Sequence, residues 1–202
     1  MTLEQDMVKF VRSPRFPQTI IERSIPQNRI IIESVASIPR EPLDGDEIFY
    51  LADATNGVTW RFRYRAGSSS TYKWEFIGGS QLRSVVETSE STSSGAYTDL
   101  ATVGPSVTVP FAGDYDVYTS CELSGTNAAG LMSYSIGSTA AVDADMIISS
   151  ISNEAQTMSV SRVKRQSGLT ASTALVSKYR TSGVAVSFLR RVIGVTPVRI
   201  GG

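Results

Sequence analysis

The 202-residue chain contains no histidine. That absence removes the commonest general base near neutral pH and the commonest nitrogen ligand for metals. A Ser/His/Asp relay is therefore impossible. The single cysteine, Cys121, rules out an internal disulfide framework and fits synthesis in a reducing cytoplasm. No apolar run approaches the ~20 residues that a membrane-crossing helix needs, so membrane insertion is not expected. The opening residues lack the basic, apolar and small-residue succession of a signal peptide. Helical periodicity of useful length is missing after residue 12.

What remains is a β-rich composition. Apolar residues make up 41% of the chain and charged residues 19%, which is ordinary for a globular protein and argues against wholesale disorder. The length suits one β-domain or two small ones. Val58-Thr59-Trp60-Arg61-Phe62-Arg63-Tyr64-Arg65 alternates aromatic and cationic side chains, and Tyr72-Lys73-Trp74-Glu75-Phe76 resumes the pattern. Side chains two apart on a strand share a face, so Trp60, Phe62 and Tyr64 form one wall and Arg61, Arg63 and Arg65 the other. Tyr72, Trp74 and Phe76 offer a second aromatic row for pairing across a hairpin. Such a wall is core, an interface, or a platform for sugars or bases. The arginines read as a solvated or interface face.

The chain divides into three parts. Residues 1–42 read as an extended arm with a short helix opened by the capping box Thr2-Leu3-Glu4-Gln5. Five of the eight prolines fall there, around the apolar stretches Ile20-Ile21 and Ile30-Ile31-Ile32. Prolines at that density exclude a central strand, yet the isoleucines need burial. Docking on a neighbouring subunit meets both demands; an edge strand folded back on its own domain is the alternative. Residues 43–80 predict a three-stranded antiparallel meander ended by Gly78-Gly79, with Asn56-Gly57 in a tight connection. Residues 81–202 predict strands at 84–89, 97–102, 106–110, 114–123, 129–136, 145–151, 156–164, 172–180 and 184–195. Strand count and spacing give an antiparallel sandwich of jelly-roll type, and an all-β fold overall. Alternation over residues 114–123 turns Cys121 inward.

Charge is split along the chain although the net charge is zero. Nine acids and no lysine or arginine lie between Arg83 and Arg162, and eight bases follow from Arg162 onward. A basic block raises nucleic-acid contact as one reading. The other places acidic early strands beside basic late ones, as a chain folded into a doubled hairpin would. No stacking aromatics interleave the bases, so nucleic acid is not an expected partner. Asp44-Gly45-Asp46-Glu47 has oxygens for calcium but lacks the spaced ladder and distal glutamate of an EF-hand, so a turn is expected and no metal or other cofactor. No carboxylate pair is singled out for catalysis, and no enzymatic activity is expected.

The stretch from Asp44 to Val58, followed by Trp60 to Arg65 and Tyr72 to Gly79, resembles a segment of tailed-bacteriophage virion structural proteins of the minor tail or fibre type. Tyr97 to Pro110, with Gly113-Asp114-Tyr115, is similar to the opening of phage jelly-roll modules, and Tyr179-Arg180 with Phe188 to Val195 suits their close. The resemblance implies a virion component made in the bacterial cytoplasm and assembled without cofactors. Its partners would be other virion proteins and further copies of itself, a trimer by preference. The arm would anchor it, the meander would form a collar, and the jelly roll would face outward towards a host surface glycan. A minor tail or fibre component is the first expectation. A capsid decoration or head-fibre protein is the alternative, and a carbohydrate-binding module a third.

Overall fold

The computed structural model describes residues 29–32, 34–151 and 156–201; the expected N-terminal helix and Ile20 and Ile21 lie outside them. Strands dominate the described residues, and the helical turns are the 3-10 turns Val35–Ser37 and Asp143–Asp145. One sheet has nine strands. It begins with β1 (Arg29–Ile32), β2 (Glu47–Asp53), β3 (Val58–Tyr64) and β4 (Trp74–Gly79), and its short members β5 (Leu82–Val86) and β6 (Glu90–Thr92) follow. The second sheet has four strands: β7 (Ser106–Val109), β9 (Ala128–Ile136), β10 (Ile147–Ile151) and β12 (Thr173–Thr181). The remaining strands, β8 (Gly113–Gly125), β11 (Gln156–Leu169) and β13 (Val186–Ile200), complete the first sheet.

The fifteen-residue β13 organises that first sheet. One of its edges runs along β8, which in turn pairs with β11. The other edge receives β6 at 186–188, β5 at 191–195 and β4 at 199–200, laid end to end. Through β4 the meander β2–β3–β4 therefore shares one continuous sheet with the C-terminal strands. From β5 onward the order is regular. In one layer β5 and β6 lie beside β13, β13 beside β8, and β8 beside β11; in the other, β7 lies beside β12, β12 beside β9, and β9 beside β10. All these pairs are antiparallel. The result is an all-β, two-sheet sandwich whose order is consistent with a jelly roll.

Alternation explains which faces meet. Tyr115, Val117, Thr119, Cys121 and Leu123 of β8 are buried, with half-buried residues between them. The core has two clusters. The larger joins Ile48, Trp60, Phe62 and Trp74 of the meander to Phe111, Tyr115, Tyr134, Leu175 and Ile193. The second, around Leu123, Met132, Tyr179 and Phe188, fills the other end of the sandwich.

Several expected strand boundaries are corrected. Residues 97–102 form no strand; Thr98 makes only an isolated bridge with Tyr179. The expected strand 84–89 ends early, at Val86 of β5, and pairing with β13 resumes only at Glu90 of β6; the bulge of β13 between Leu189 and Val192 lies opposite the gap. Asp145 belongs to a 3-10 turn and β10 begins only at Ile147, while β13 continues beyond residue 195 to Ile200. Gly78-Gly79 does not end the meander before the sheet, since β4 runs through Gly79. At Gly79 φ is 135°, and a Cβ there would collide with the Thr59 carbonyl and press on Trp60. Glycine is what lets β3 and β4 approach at that point.

Candidate interaction surfaces

The aromatic wall is assembled as the alternation requires. Trp60 and Phe62 are fully buried and Trp74 nearly so, while Tyr64, Tyr72 and Phe76 are half-buried. Phe62 sits opposite Phe76 and Tyr64 opposite Trp74 across the β3–β4 pair, with ring centroids 5.9 and 5.2 Å apart. The wall packs against the sandwich: Phe62 meets Phe111 at 6.0 Å, Trp60 meets Tyr115 at 6.3 Å, and Tyr50 meets Phe111 edge-on at 4.5 Å. Trp60 Nε1 donates to the Ser80 carbonyl at 2.8 Å. Here the chain covers the ring faces itself, so Trp60 and Phe62 offer nothing for a sugar or base to stack on.

The opposite face of the meander holds the arginines. Arg61 donates to Glu47 Oε2 through Nε and Nη2 at 3.0 and 2.7 Å, and Arg63 to Oε1 at 3.1 and 2.7 Å. Arg65 pairs with Glu75 at 3.4 Å, and Arg61 also lies over the Phe49 ring at 5.5 Å. Burial by itself raises the pKa of the Glu47 carboxyl, but the two guanidinium groups outweigh it and hold the carboxyl below its ordinary value of 4.5. Asp143 is likewise lowered from 3.8, first by the hydrogen bond from the Tyr97 hydroxyl and then by Arg180. Groups lowered on folding contribute stability above their unfolded pKa values and lose it as pH falls through the folded ones. Urea midpoints are therefore expected to hold level from pH 7 to about 5 and to decline below the 4.5 of an unfolded Glu. A Glu47→Gln variant should start lower and decline less steeply. A flat acid profile in the parent chain would contradict this arrangement.

The basic late strands meet the acidic early ones. Arg165 pairs with Asp116, Lys178 with Asp99, Arg180 with Asp143, Arg190 with Glu122, Arg191 with Glu90, and Lys164 with Asp145. These six make up most of the nine carboxylate–cation pairs among the described residues. The exposed ones add little because solvent screens them, so they set register more than stability.

Sequence reasoning missed Arg191, which is entirely buried. Its guanidinium lies 5.4 Å above the Tyr179 ring and donates to Glu90 at 3.0 Å, to the Thr88 carbonyl at 3.3 Å and to the Thr102 carbonyl at 3.4 Å. A signal for it exists in the chain. Inward residues on β13 are even-numbered at Val186 and Phe188 and odd-numbered at Ile193 and Val195. A parity change of that kind requires a bulge between them. At the bulge Arg190 takes φ 49°, and Arg191 points inward in place of Arg190.

Of the expected anchoring residues, Ile30 and Ile32 belong to β1, which pairs in parallel with β2 at the sheet's edge. Ile32 is buried and Ile30 packs on the core, so within this chain they take the edge-strand arrangement rather than the subunit-docking one preferred from sequence. Ile31 points away and is 80% exposed. The Asp44–Glu47 run is a turn: Asp46 accepts from Leu43 N, Asp44 accepts from Ala66 N, and Glu47 holds the arginines. No group of three His, Cys, Asp or Glu suited to a metal occurs among the described residues. Cys121 is buried, and burial pushes its thiol up to about 12, which makes it inert at neutral pH.

Two clefts lie on the surface of the described residues. One, of about 540 Å³, has a polar lining that includes Asp53, Asn56, Gln81 and Arg83. The other, of about 330 Å³, lies between the segment 38–42 and the ends of β3 and β4.

Comparison with protein-family models and with curated protein sequences returns no match. Among solved structures, the chain is similar to dimeric latent PorU from Porphyromonas gingivalis, at 12% identity and a TM-score of 0.33, over 67% of this chain and 14% of that one. It is also similar to the infectious bursal disease virus Gx strain structure, at 10% identity and a TM-score of 0.26, over 84% of this chain and 59% of that one. The chain thus spans less than two thirds of either. Similarity at this level says nothing about activity.

Proposed function

We propose that this chain is a structural protein of a virus particle, and that its sandwich is a jelly roll displayed at the capsid surface. The observation that carries the reading is the strand order, first beside last in one layer and second beside second-to-last in the other. Jelly rolls of this order recur in viral shells and in lectins. The side chains that looked most functional in the sequence, the aromatic wall and the basic block, are engaged in holding the chain together. That use suits a building block. In this role the protein decorates the shell or forms a head fibre, works without cofactors, and has other virion proteins and further copies of itself as partners. A tail or fibre position is the second reading, favoured by the phage-like segment 44–79.

Immunogold labelling of intact particles with an antibody to the purified chain tests both. Label over the head supports the capsid reading, label along the tail supports the second, and particles without the protein overturn both.

A further inference from the structure

We propose that the cleft between residues 38–42 and the β3–β4 ends binds a small carboxylate carried on a single ring, of the uronic-acid kind. Its volume of about 330 Å³ lies at the lower end of small-molecule sites, which admits one ring with its substituents rather than a polymer. Pro39, Pro42 and Tyr64 supply apolar wall, and Thr71 supplies a hydroxyl. Trp74, almost wholly buried, also lines it, with its ring 5.2 Å from that of Tyr64. Pyranose C–H faces and aromatic rings both pack on such surfaces.

Charge selects the ligand's other half. Arg40 and Lys73 line the cleft, and among the described residues no aspartate or glutamate does. Neither cation is among the nine carboxylate–cation pairs of the described residues, although that pairing engages most of the other cations described. Lys73 donates to the Ala66 carbonyl at 2.9 Å, which steadies the ammonium without neutralising it. Two positive charges that form no ion pair among the described residues, set beside apolar wall, fit an anion attached to a compact apolar body.

The site stands apart from the virion reading, which survives if this one fails. The test is calorimetric titration of the full chain with glucuronic acid, and with glucose and inorganic phosphate as comparators. Glucuronate is expected to bind with a dissociation constant of roughly 1 mM, weakening as salt is raised. Glucose should bind at least about tenfold more weakly, for want of the carboxylate. Arg40→Ala and Lys73→Ala should each weaken glucuronate binding, and the pair should abolish it. Arg40 is exposed and Lys73 half-buried outside the core, so both variants are expected to fold. Lys73→Gln retains a donor for Ala66 and should bind as poorly as Lys73→Ala. No binding by glucuronate, equal binding by glucose, equal competition by phosphate, or affinity indifferent to these substitutions would each overturn the proposal.

Discussion

Replacing Trp60 with alanine is expected to lower the unfolding free energy by about 3–5 kcal/mol, and to lower Tm by roughly 6–20 °C for a chain of this size. The indole is fully buried, donates to the Ser80 carbonyl, and touches Tyr50, Phe62 and Tyr115. Its removal leaves a cavity among aromatic neighbours that cannot collapse freely, and leaves the Ser80 carbonyl without this donor. The loss should reach beyond the meander. Trp60 and Phe62 share a cluster with Phe111 and Tyr115, and β4 is hydrogen-bonded to β13. A single cooperative transition is therefore expected in both the parent and the variant, followed by circular dichroism and by the fluorescence of Trp74. Two separate transitions, with the sandwich melting at its parental temperature, would show that the meander folds on its own.

The second large effect is expected at Arg191. Arg191→Ala should cost about 3–5 kcal/mol, because it empties a buried site and strands the groups that faced the guanidinium. Those groups come from three places, Thr88, Glu90 and Thr102, so the side chain pins the connection from residue 88 to residue 102 onto β13. Arg191→Lys should rescue little, since an ammonium on a flexible stem cannot reach the divergent acceptors that a planar fork reaches. Pairing Arg191→Met with Glu90→Gln should restore part of the loss, because the orphaned carboxylate is removed together with its partner. Urea titration gives the energies. Hydrogen exchange gives the location, with faster exchange expected across residues 88–102 in Arg191→Ala. Unchanged exchange there would refute the pinning role.

These two residues show what local pattern can and cannot convey. The placement of Trp60 was legible because a strand's side-chain period is fixed at two, whatever lies beyond it. The inward turn of Cys121 and the division of β3 into an aromatic and an arginine face followed from the same rule. The charge split was legible in outline, and the strands it joins, β8 with β11 and β13, meet as a doubled hairpin requires. Arg191 escapes simple alternation, because a bulge shifts the period by one between Phe188 and Ile193. The 330 Å³ cleft was not legible at all: its walls come from residues 38–42, 64, 71–74 and 201, which no window of sequence brings together.

By itself the sequence determined an all-β fold class, which side chains share a face along β3 and β8, the inward turn of Cys121 and the opposition of acidic and basic halves. Each of these depends on neighbours within a few residues or on summed composition. Tertiary structure alone decided that β13 accepts β6, β5 and β4 along one edge and that β1 lies parallel to β2. Which strand edges meet depends on how separate sheets of side chains fit when the chain closes, and that fit has no local signature.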